Sequence, residues 1–144
     1  MPRLWRISGH ADLSGIGGLT VSGRWHTCGR PVVYAAEHPA GAMTEMLVHF
    51  TRENLPDSFQ LIEIDLDDTA AMETAAPPPG WRDSEAATRA IGDAWLAQKR
   101  SLALRVPSAL VPQAWNVLLN PAHPEAAKMR VAALHPVPVD PRFR

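Results

Sequence analysis

The hydrophobic and polar positions of the chain change period several times, and each change marks an element. Residues 4–7 read as a short strand, and a glycine-rich loop over 8–23 follows it. The run PVVYAA at 31–36 carries β-branched residues and an aromatic, which predicts a buried strand. Between 40 and 50 the period lengthens: Ala42, Met43, Met46, Leu47 and Phe50 recur at helical spacing. Pro39 suits the first turn of that helix, where its missing donor costs nothing. In FQLIEIDL at 59–66 the period returns to two. Ile62, Ile64 and Leu66 fall on one side and Glu63 and Asp65 on the other, which predicts a half-buried strand.

The stretch 67–80 contains a triproline, has no clear period and reads as a connection. Ser84 is placed to cap a helix running to about Gln98, with Glu85 in its first turn and Ala87, Ile91, Ala94 and Trp95 in phase. Short extended pieces are expected near 102–106, 116–119 and 129–139. Prolines clustered beyond residue 106 exclude long uninterrupted helices there. Several short strands and two helices together predict an α+β fold, a compact single domain over 1–144 with a small, mostly antiparallel sheet.

Composition narrows the class. With 144 residues, 46% of them hydrophobic and 20% charged, the chain has the make-up of one globular domain. A net charge of −1 supplies no broad field for nucleic acid or anionic lipid. Cys28 is the single cysteine, which excludes an intramolecular disulfide and a thiolate zinc cage. No apolar run approaches the roughly 20 residues of a membrane helix, and the first residues lack the apolar core of a signal peptide. A reducing cytoplasm is the expected location.

Candidate chemistry can then be weighed residue by residue. The glycines of GIGGLTVSG (15–23) are not followed by the Gly-Lys-Ser/Thr of a phosphate-cradling loop, so a turn-rich loop is the better reading. Glu45 and His49, four apart on the predicted helix, could share a metal, but the third ligand would have to be His26 or His123 from elsewhere, and no spacing specifies it. Ser108 lacks the glycine flanks of a nucleophile elbow. The prolines around it suit fixed hydrogen bonding instead. There remain Arg24, a permanent cation whose planar fork matches phosphate, Tyr34, a π-face on a strand, and Glu45, a carboxylate on an apolar helix. Each has an ordinary explanation alone; converging, they would make a ligand site.

The blocks LWRIS, GRWHTCGRPVVYAAEHPAGAMTEMLVH, and LRVPSALVP with WNVLLNPAHP stand in that order from about residue 4 to about residue 124. Together they resemble the RES domain family. The arginine, glutamate and serine that name it would here be Arg24, Glu45 and Ser108. The resemblance implies a fold similar to the ADP-ribosyltransferase toxins. It also implies a toxin of a type II toxin–antitoxin pair that degrades NAD+, as a glycohydrolase or a phosphorylase. NAD+ is then a substrate, with inorganic phosphate as co-substrate if the reaction is phosphorolysis, and no metal or other cofactor is expected. The implied partner is a Xre-type helix-turn-helix antitoxin covering the active-site entrance. Direct nucleic-acid or membrane contact is not implied, and a homodimer within the toxin–antitoxin assembly is compatible with it.

Carried onto these residues, Glu45 would stabilise the ribosyl cation and Tyr34 would stack on nicotinamide or ribose. Arg24 would grip the pyrophosphate or inorganic phosphate, with Arg6 facing the same cleft, and Ser108 would hydrogen-bond near nicotinamide or ribose. Asn116, Asn120 and His123 read as structural. His26, Thr27 and Cys28 stand where the family commonly has asparagine or serine, so Cys28 reads as a neutral replacement rather than a nucleophile. Two alternatives stay open: transfer of ADP-ribose onto a protein, and a non-enzymatic NAD-binding module.

Overall fold

A computed structural model describes residues 2–143. Its strands are β1 (Arg3–Ile7), β2 (Val33–Ala36), β3 (Ser58–Leu66), β4 (Met72–Thr74), β5 (Ala103–Pro107), β6 (Trp115–Leu119) and β7 (Met129–Pro138). They form one sheet in the order β4-β5-β6-β2-β1-β3-β7, antiparallel throughout except where β4 pairs with β5. The helices are α1 (Gly17–Thr20), α2 (Pro39–Leu47) and α3 (Glu85–Gln98).

The two faces of the sheet do different things. Leu4, Val33, Ala35, Ile62, Ile64, Val117 and Leu119 occupy one face and form a single buried cluster. No residue of α1, α2 or α3 joins that cluster. Residues of the connections, Leu13, Ala70 and Ala126, pack against it instead. The opposite face carries both long helices. Tyr34, Leu118 and Leu104 are register partners there and pack against Trp95 and Leu96 of α3. Trp5, opposite Ala36 on the same face, packs with Ala42, Met43 and Met46 of α2. The two helices thus share one face, with the β1–β2 junction between them.

That junction is incomplete. β1 pairs with β3 along its whole length, but with β2 only at Trp5–Ala36. Where the ladder stops, Arg6 Nη1 donates to the Tyr34 carbonyl at 3.2 Å. A side chain replaces the missing strand partner, so the backbone acceptor is still satisfied.

Four expectations meet a different outcome. The loop over 8–23 contains the single helical turn α1. The stretch 67–80 contains β4, three residues whose pairing comes from an edge and from no period of their own. Strand β3 is not half-buried: Glu63 and Asp65 are 8% and 4% exposed, because Arg3 and His135 close over Glu63 while Arg3 and Arg130 close over Asp65. Helix α3 begins at the Ser84 cap as expected, with Ser84 Oγ accepting from Ala87 N–H at 3.2 Å. Its buried stripe is Thr88, Gly92, Trp95 and Leu96, rotated from the expected one. Among the described residues no helix is long and apolar enough to cross a membrane.

Candidate active site

A cavity of about 540 Å³ opens over the β1–β2 junction, on the face that carries the helices. Its walls come from β1 at Trp5 and Arg6, α1 with the loop after it to His26, β2 at Tyr34, α2 at Glu45 and Met46, and the segment from Ala109 to Asn116. Its size falls within the roughly 300–1,000 Å³ of small-molecule sites. Most of the lining is apolar, and the charged groups are few: Arg6, Arg24 and Glu45, with His49 one turn after Glu45.

Glu45 is held by one oxygen only. Oε1 accepts from Ser108 Oγ at 2.7 Å and from Asn116 Nδ2 at 2.9 Å. No other described residue bonds the carboxylate, so Oε2 is unclaimed. The sequence positions the donors by ordinary means: Asn116 is carried on β6, while Ser108 follows Pro107 at the end of β5. The Ser108 hydroxyl also accepts from the N–H groups of Leu110 and Val111 at 3.1 and 3.2 Å, which folds the following turn around it. With one donation and two acceptances its capacity is filled. Ser108 lies behind Glu45, 3% exposed, and meets the cavity through that carboxylate.

Tyr34 stands on the cavity floor with its hydroxyl turned toward the loop. That hydroxyl accepts from Trp25 N–H at 3.2 Å and lies 2.7 Å from His26 Nδ1. Burial pushes its pKa up to about 12, partly opposed by the Trp25 hydrogen bond. A Cβ at Gly23 would overlap the Tyr34 hydroxyl, so any side chain at that position would displace the ring.

The two arginines differ in what they already hold. Arg24 Nη2 donates to the carbonyls of Trp81, at 3.1 Å, and Arg82, and its Nη1 lies 3.9 Å from Glu85 Oε1. Part of its fork is therefore spent on the segment that precedes α3. Arg6 spends Nη1 on the Tyr34 carbonyl. The Nε of each arginine is buried with no hydrogen-bond partner. Burial pulls the Arg6 pKa down from its ordinary value, opposed by the field of Asp12.

The structure brings Arg6, Arg24, Tyr34 and Glu45 to one cavity, with Ser108 directly behind. It also brings Asn116, which the sequence reading set aside as structural. The signal was a polar residue inside a buried strand, between Trp115 and Val117, where an amide needs partners. Asn120 and His123 do serve their own turn: Asn120 Oδ1 accepts from Ala122 N–H and His123 Nδ1 from Glu125 N–H. Of the third metal ligands weighed from sequence, His26 has both ring nitrogens engaged within the fold and His123 is tied to its turn. Among the described residues no group of three or more His, Cys, Asp or Glu could hold a metal ion.

The chain matches the family described as RES domain over residues 3–140. It is 49% identical over 131 residues to a protein named Toxin Res from Pseudomonas putida, covering 89% of this chain and 90% of that one. It is 39% identical over 153 residues to the Prs ADP-ribosylating toxin of a Sphingobium species, covering 96% and 94%. In fold it resembles a chain in the crystal structure of the M. tuberculosis MbcT–MbcA toxin–antitoxin complex. The TM-score is 0.74 at 19% identity, over 94% of this chain and 84% of that one.

Proposed function

This chain belongs to the RES domain family, and we propose that it is the toxin of a toxin–antitoxin pair and degrades NAD+ by breaking the bond between nicotinamide and ribose. The observation that carries the reading is Glu45, a single carboxylate in a mostly apolar cavity, pinned through Oε1 with Oε2 unclaimed. When the nicotinamide–ribose bond breaks, nicotinamide leaves as a neutral molecule and positive charge develops on the ribose. A fixed carboxylate beside that ring lowers the barrier because its charge is already aimed where the new charge appears.

The other residues supply position. The ring of Tyr34 offers a flat apolar wall for nicotinamide or ribose. Arg6 and Arg24 both line the cavity, and their guanidinium groups can face the pyrophosphate. Water or inorganic phosphate then attacks the ribose carbon. The product is ADP-ribose with a proton released to solvent, or ADP-ribose 1″-phosphate. The neutralising partner is an antitoxin of the Xre-type helix-turn-helix class, and the cytoplasm, where NAD+ is abundant, is the site of action.

The second reading is transfer of ADP-ribose to a protein side chain. The name of the Sphingobium relative, which matches nearly the whole chain, favours it. Both readings use Glu45, and they differ only in the acceptor.

The test is incubation of purified wild type and Glu45→Gln with NAD+, with and without phosphate and candidate proteins, followed by mass spectrometry. Nicotinamide release by wild type and its loss by about 10²–10³ in the variant are expected. The accompanying product identifies the acceptor. Equal release by both proteins would remove Glu45 from the chemistry.

A further inference from the structure

We propose that His26 is the positioning residue of Tyr34: a neutral imidazole whose Nδ1 fixes the tyrosine hydroxyl and whose Nε2 ties the loop before it to the same point. The geometry determines where the proton sits. Nδ1 lies 3.2 Å from Gly23 N–H, a donor it shares with the His26 carbonyl at 3.1 Å, and a backbone N–H can only donate, so an acceptor at Nδ1 suits this place. Nε2 faces the Gly18 carbonyl at 3.2 Å, which can only accept, so Nε2 carries the hydrogen. The Tyr34 hydroxyl already accepts from Trp25 N–H, and its own proton goes to Nδ1 at 2.7 Å. Only the neutral Nε2–H tautomer satisfies all four bonds. The other tautomer would set an Nδ1–H against the Gly23 N–H.

This arrangement constrains more than one side chain. Strand β2 fixes the Cα of Tyr34, but the hydroxyl lies at the far end of the ring, where a small change in side-chain torsion moves it most. His26 is 2% exposed, and the absence of a side chain at Gly23 leaves the hydroxyl its place. The α3 side chains nearest the loop are engaged with its backbone: Arg89 Nε donates to the Gly23 carbonyl and Asp93 accepts from Thr27 N–H. Removing the imidazole takes away the acceptor that the hydroxyl has in this fold. A tyrosine that loses this acceptor swings into the cavity to reach water, and the wall it presents to a ligand changes.

Two substitutions separate the bonds. The side-chain oxygen of His26→Asn falls near the place of Nδ1 and can accept from Tyr34 and Gly23. His26→Gln reaches toward Gly18 but leaves the hydroxyl without its acceptor. The kinetic arm rests on the reading of the cavity as an NAD+ site. His26→Gln is expected to raise KM for NAD+ about tenfold, the scale of one buried hydrogen bond, with a much smaller change in kcat, and His26→Asn to recover most of it. Adding His26→Gln to Tyr34→Phe should change KM no further.

Nitrogen-15 NMR of the free wild-type protein supplies an arm that needs neither NAD+ nor a folded variant. One histidine should show the neutral Nε2–H pattern with a hydrogen-bonded Nδ1. A charged or Nδ1–H form at His26 would overturn the proposal. So would an unchanged KM in folded His26→Gln, or an equal further effect in the Tyr34→Phe background. If wild type neither binds nor turns over NAD+, the functional reading falls, and the NMR pattern still decides whether His26 holds Tyr34.

Discussion

Ser108 and Asn116 arrive from different elements and donate to the same oxygen of Glu45, at 2.7 and 2.9 Å. Two donors on one oxygen fix the plane of the carboxylate and leave the other oxygen as the one that can meet a ligand. Either donor alone still pins Oε1. Ser108→Ala and Asn116→Ala should therefore each lower NAD+ turnover by about tenfold or less. The double variant should lose more than the product of the two, since only then is the carboxylate free to rotate. A thermodynamic cycle on nicotinamide release checks this, and a purely multiplicative loss would mean that the donors act independently.

Tyr34 is the chain's only tyrosine, so tyrosinate absorbance reports it alone. Its pKa of about 12 lies above the ordinary value of 10.0 because burial disfavours the charged form. Between pH 10 and 12 the unfolded chain has lost this proton while the folded chain keeps it. The contribution to stability is thus complete below pH 10 and is lost as pH rises toward 12. A raised pKa of this size corresponds to at most about 2–3 kcal/mol. Absorbance should show a midpoint near 12 in the native protein and near 10 in denaturant. Wild type should also lose stability over that range more steeply than Tyr34→Phe.

Much of this arrangement was legible in the sequence, and the parts that were not have identifiable causes. Periods of two and of 3.6 marked β3 and α2, and Ser84 with Glu85 marked the start of α3, because these signals are local. Arg24, Tyr34 and Glu45 came into view through residue chemistry and their shared block. Strand β4 did not, since three residues hold no period and its pairing depends on β5, about 30 positions away. The burial of Glu63 and Asp65 was hidden because their cations, Arg3, Arg130 and His135, lie far off in sequence. Asn116 and His26 were missed for the same reason. A polar residue in a buried strand announces that it needs a partner but not which one.

Gly92 is where α3 lies directly against the backbone of Trp25. A Cβ there would run into the Trp25 carbonyl, and Trp25 N–H is a donor to Tyr34. Helix propensity alone favours alanine by about 1 kcal/mol. The collision should reverse that sign, leaving Gly92→Ala about 1–3 kcal/mol less stable than wild type in urea denaturation. A more stable Gly92→Ala would show that α3 can shift outward freely, and the loop that carries Trp25 and His26 would then not be fixed by the helix.

The apolar residues around the cavity mouth bear on how such an enzyme is restrained. Ile16 and Val21 flank α1, Val48 follows α2, and Leu110 and Val111 lie in the turn after Ser108; all five are exposed. Val21, Val48 and Leu110 also line the cavity. Water gains nothing from such a rim, and under the proposed function the toxin needs an inhibitor that reaches the substrate's entrance. An antitoxin seated on the rim would bury apolar surface and close the cavity together, on the scale of about 1,200–2,000 Å² for a stable pair. Ile16 and Val111 sit on the rim beside lining residues without lining the cavity themselves, so they separate binding from chemistry. The pair Ile16→Asp and Val111→Asp should keep NAD+ turnover in the purified protein and weaken antitoxin binding at least about tenfold, because each buries a carboxylate without a partner. In a bacterium, co-expressed antitoxin should rescue growth with wild type and fail with the double variant. Full rescue of a folded, active double variant would place the inhibitory contact elsewhere on the molecule.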